Sequence, residues 1–70
     1  MQVLLQNSLS GEFLRADGKW SSNMLEALDF GTSVRALEVA AADGHGPLRI
    51  VLHFDDANLD LYIPIPHERD

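Results

Sequence analysis

The chain has 70 residues, a net charge of −6 and no cysteine. It is one small domain, expected to bury only about 60% of its unfolded surface, and it has neither a disulfide staple nor a thiolate metal site. Four Arg and one Lys are scattered without a cluster, which with the acidic balance argues against nucleic acid, and no apolar run approaches the roughly 20 residues of a membrane helix.

The start, Met1-Gln2-Val3-Leu4-Leu5, lacks the basic residues and long apolar core of a signal peptide. The chain therefore reads as soluble and cytoplasmic. Val3 to Gln6 reads as a short strand, and Asn7-Ser8-Leu9-Ser10-Gly11 as a turn. Glu12 to Ala16 is the returning strand, closed by the Asp17-Gly18 turn signal ahead of Lys19 and Trp20.

Ser21-Ser22-Asn23 can cap a short helical turn over Met24 to Leu28, with Ser22 just ahead of it and Gly31 ending it. Thr32 or Ser33 then caps the main helix, Val34 to Ala42. Val34, Leu37 and Ala41 share one helix face, and Ala36 and Ala40 let the helix sit close to a sheet. Gly44, Gly46 and Pro47 stop it.

Leu48 to Ile65 carries the clearest pattern. Leu48, Ile50, Leu52 and Phe54 alternate with Arg49, Val51 and His53; Leu59, Leu61, Ile63 and Ile65 alternate with Asp60, Tyr62 and Pro64. Period two marks strands with one buried face, and Asp55-Asp56-Ala57-Asn58 supplies the turn. Placing Phe54 opposite Leu59 sets Leu52 on Leu61, Ile50 on Ile63, His53 on Asp60 and Val51 on Tyr62. Pro64 and Pro66 cannot donate to a ladder, so the end of the second strand lies on an edge or leaves the sheet. Residues 67–70 are a polar tail outside a domain of residues 1–66.

Strand, strand, helix, strand, strand gives a two-layer α+β domain of ββαββ order. Its four-stranded antiparallel sheet has order 2-1-3-4 and one face under the helix; 1-2-3-4 is the alternative. Leu37, Ile50, Leu52, Leu61 and Ile63 are expected at the centre of the core.

The stretch from Phe13 to Phe30 resembles a pattern in short uncharacterised bacterial proteins. Those carry an extended segment, a Gly turn, a Trp, a capping Ser or Thr, then Ala and Phe before a second helix. The matching residues are Gly18, Trp20, Ser21 or Ser22, Ala27 and Phe30; Leu52-His53-Phe54-Asp55 and Asp60 also fit such chains. The resemblance implies a shared fold and no activity, ligand or catalytic residue.

Asp56, Asn58 and Asp60 match the first, third and fifth positions of a calcium loop, but Leu61 and His67 stand where that loop needs Gly and Glu. His45, His53 and His67 have no ligand spacing. The serines sit where turns and caps explain them, and no Gly-rich phosphate loop or Gly-x-Ser-x-Gly motif occurs. No cofactor or metal is therefore expected, and the chain is not expected to be an enzyme. The expected function is a protein-interaction or self-association module with an unknown protein partner or a second copy. The candidate surface is the sheet face away from the helix, carrying Arg49, Val51, His53, Asp60 and Tyr62, with Trp20 as either a core residue or an interface anchor. The alternative is a small-ligand binder or enzyme using His53 as base and Asp60 as its orienter.

Overall fold

A computed structural model describes residues 1–43, 46–56 and 58–65. The element order is β1 (Gln2–Asn7), β2 (Phe13–Leu14), β3 (Trp20–Ser21), a 3-10 turn (Met24–Glu26), α1 (Ser33–Asp43), β4 (Leu48–Phe54) and β5 (Leu59–Pro64). The fold is α+β with one antiparallel sheet of five strands, ordered β3-β2-β1-β4-β5. The sequence reading of four strands missed β3, a two-residue edge piece too short to show alternation. The remaining strands keep the expected 2-1-3-4 order. Gly44, His45, Ala57, Pro66 and the tail lie outside the described residues.

β1 is the centre of the sheet. Its Val3-Leu4-Leu5 run is apolar without alternation and is buried on both sides, with all three residues at most 1% exposed. Val3 and Leu5 face the helix and cluster with Leu14, Phe30, Ala36 and Ile50. Leu4 faces the other way and clusters with Phe13 and Val51, and Met24 and Ala27 pack over these three. The chain after β3 thus folds across the second sheet face, which is not open at its centre.

Local chemistry explains this path. Gly18 takes φ +85°, as its turn requires. The Asp17 carboxylate accepts from the Lys19 N–H at 3.0 Å, and the Arg15 N–H donates to the Lys19 carbonyl at 2.8 Å. Asn23, not Ser22, caps the 3-10 turn, its side chain accepting from the Leu25 N–H at 3.0 Å. Where β2 runs out, residues 29 and 30 complete the edge of β1. The Asp29 carboxylate accepts from the Val3 N–H at 3.0 Å and from the Gly31 N–H at 2.9 Å, while the Phe30 N–H donates to the Val3 carbonyl at 2.8 Å. These bonds from Val3, then Gly31, hold the Asp29 carboxyl below its usual range.

Thr32 caps α1 by accepting from the Arg35 N–H at 3.2 Å. The helix lies over β1 and β4. Its contact side is Ala36, fully buried, with Ala40 beside it. Leu37 is therefore not at the centre of the core: it lies 43% exposed, and Val34 62%. Small residues bring the helix close to the sheet and turn the larger ones outward.

The register of β4 on β5 is the one the alternation demands, from Phe54↔Leu59 to Ile50↔Ile63. Yet Leu61 and Ile63 are 46% and 42% exposed. Of the expected centre only Ile50 is fully buried, with Leu52 partly so. A helix about 10 Å wide spans about two strands at roughly 4.8 Å spacing, so a helix seated over β1 and β4 leaves β5 uncovered.

Candidate functional site

The β4–β5 pairing brings Arg49, Val51, His53, Asp60 and Tyr62 onto one sheet face, as the alternation requires. Val51 is a correction. It is fully buried, pairs with Leu4 on β1 and lies beneath the segment of Met24 and Ala27, so it offers no surface. Trp20 is elsewhere: it pairs with Leu14 on the far edge strand and packs partly buried against the helix-side core.

Arg49 is fixed from two directions. Its Nε donates to the Gln6 side-chain oxygen at 2.7 Å, and its guanidinium carbon stands 4.3 Å above the centre of the Tyr62 ring. A cation over an aromatic face is attracted by the ring quadrupole. Tyr62 keeps 51% of its surface exposed.

His53 is held between two carboxylates. Nδ1 lies 2.5 Å from Asp60 Oδ1 and Nε2 lies 2.7 Å from Asp55 Oδ1. A neutral imidazole has a single N–H and can donate to only one of them; the imidazolium donates to both. The hydrogen bond that the Asp60 carboxylate accepts is the largest effect on the His53 pKa; desolvation, the second, opposes it, and the charges of Asp60 and Asp55 with the bond to Asp55 add to it, so the pKa is raised above its ordinary 6.5. Both nitrogens are engaged at opposite ends of the ring. That geometry presents no lone pair to a substrate and aims the carboxylates away from any common metal position. Among the described residues no group of three or more His, Cys, Asp or Glu is placed to hold a metal ion.

A second surface was not anticipated. On the helix side, β5 presents Leu59, Leu61 and Ile63, each between 42% and 48% exposed. At the turn end of the same strand a shallow cavity of about 260 Å³ is lined by Met1, Phe54, Asp55, Asp56, Leu59 and Leu61. The row is continuous with the core pattern but lies past the width the helix covers. Its signal in the sequence was Pro64, which marked β5 as an edge strand. No described helix is long and apolar enough to cross a membrane. No family model, curated protein or solved structure matches the chain.

Proposed function

We propose that this domain is a non-catalytic protein-interaction module whose contact element is β5. The observation that carries the reading is the half-exposed row Leu59, Leu61 and Ile63 on a strand whose outer edge no described strand pairs. Exposed apolar rows and free strand edges are both costly in an isolated domain, and strand addition is a common way to cover them. The reading moves the contact away from the Arg49–Tyr62 face, whose centre is filled by Val51, Met24 and Ala27. An enzymatic use of His53 and Asp60 gains nothing from the geometry, because both ring nitrogens are already engaged.

The test is Leu61→Lys. The side chain is 46% exposed, so a lysine can direct its ammonium to water and keep the fold. Proteins captured by the wild-type domain from native extract, identified by mass spectrometry, should be lost with this variant. An unchanged capture profile from a folded Leu61→Lys protein would overturn the reading.

A further inference from the structure

Resting on that reading, we propose that a second copy of this chain adds to β5, antiparallel, across a two-fold axis that passes at Leu61. The backbone restricts how this can happen. The Ile65 N–H donates to the Leu48 carbonyl at 3.3 Å, which fixes the phase of the β4–β5 ladder. Counting back, Leu59, Leu61 and Ile63 turn their N–H and C=O groups toward β4. Asp60 and Tyr62 turn theirs to the open edge, and Pro64 turns only a carbonyl there, having no N–H. A second β5 can pair only through these even-numbered positions.

Three two-fold registers then compete. An axis at Asp60 sets Asp60 against Asp60 of the second copy, like charge on like charge. An axis at Tyr62 sets two Tyr62 rings together, each carrying its Arg49 cation, and leaves each Asp60 carbonyl facing a Pro64 without an N–H. An axis at Leu61 sets Asp60 opposite Tyr62 of the second copy. Asp60 and Tyr62, the positions that pair, then both have their N–H, and Pro64 falls opposite Asn58, outside the strand. Each Asp60 carboxylate also meets a ring on which the other copy's Arg49 guanidinium is stacked. On the helix side Leu61 meets Leu61, and Leu59 meets Ile63. Charge, backbone and the apolar row select the same register. One added strand is a small interface, so the dimer is weak and the net charge of −6 on each copy weakens it further.

Sedimentation equilibrium from about 10 μM to 1 mM covers the relevant range. The wild type is expected to dimerise there. Asp60→Arg and Arg49→Asp should each weaken the dimer at least tenfold, and the double exchange should restore it, with melts confirming each fold. A second measurement uses the unaltered chain: amide exchange at Asp60 and Tyr62 should slow as concentration rises, while Leu61, already bonded to β4, should not change. A wild type that stays monomeric at 1 mM overturns the second copy as occupant. In that case loss of protein capture by Leu61→Lys would still leave β5 as a contact element for another chain. A dimer that leaves the Asp60 and Tyr62 amides unprotected overturns the register and the proposal with it.

Discussion

Val51→Ala tests the most consequential feature of the fold, the closed second face of the sheet. Val51 is fully buried among Leu4, Phe13, Met24 and Ala27. The substitution removes two carbons, worth about 0.8 kcal/mol each in transfer free energy. It also opens a space on the order of 50 Å³, worth about 1 kcal/mol if the neighbours do not collapse into it. The expected cost is about 2–3 kcal/mol, and for a domain of this size each kcal/mol lowers Tm by roughly 4–8 °C. Urea unfolding followed by Trp20 fluorescence and circular dichroism measures it. Met24→Ala should couple with Val51→Ala, because the two side chains share one cluster: the double variant should lose less than the sum. If the face were open, Val51→Ala would fall within about 0.5 kcal/mol of wild type, and Met24→Ala would add independently. That result would refute the packing described for the segment after β3.

Two predictions concern pH. Asp29→Ala should cost about 1–2 kcal/mol near neutrality, the low end for bonds to a charged group because water screens this exposed carboxylate; the wild type should lose that increment as pH falls through the lowered Asp29 pKa, whereas the variant's melts should lack that step. His53 has a raised folded pKa, so its contribution is complete below the unfolded value of 6.5 and disappears as pH rises through the folded one; Asp60→Asn should move the imidazole titration back toward 6.5 by NMR, and an unmoved titration would show that Asp60 is not the cause.

The last hairpin was legible residue by residue. Strict alternation on both arms determines which side chains share a face, and a slip of one position would have mixed the rows, so Phe54↔Leu59 and its followers came out as paired. The helix was legible to within a residue at each end, since Thr32 and the apolar spacing mark it. What alternation cannot say is how much of a face is covered. Leu61 and Ile63 have the pattern of core residues and stand at the margin, because cover depends on where the helix lands across the sheet. The helix was legible in part: Ala36 and Ala40 bring it close to the sheet as expected, but Leu37, expected at the core centre, faces outward. Val34, Leu37 and Ala41 form the more apolar stripe, but Ala36 and Ala40 allow closer approach, and approach decided which side faced inward. Val51 was misplaced because its neighbours Arg49 and His53 are polar. The unbroken run Val3-Leu4-Leu5 held the correcting signal: a strand apolar on both faces needs cover on both, and Val51 lies in the same row as Leu4.

The two margins of the sheet differ in how their backbone is satisfied, and this asymmetry directs the functional reading to β5. On the β2 side, residues 29 and 30 bond Val3 from beyond the end of β2, and Leu28 donates to the Leu14 carbonyl at 3.0 Å. Trp20 and Leu28 pack against the helix-side core there, and Met24 and Ala27 against the opposite face. The chain between β2 and α1 is thus spent on closing that side. On the other side the chain turns at Asn58, which takes φ +49° as Asn tolerates, and β5 is the last of the described strands. No described segment remains to pair with the outward amides of Asp60 and Tyr62 or to cover Leu59, Leu61 and Ile63. A domain of this size has too little core to leave such a row uncovered without cost. On the other sheet face Asp60 is held by His53 and Tyr62 lies under Arg49 of β4, so a carboxylate and a cation-covered ring stand two residues apart along β5. On the proposed reading, a strand whose outward backbone and apolar row the described chain leaves uncovered is the place where a second chain would gain most by binding.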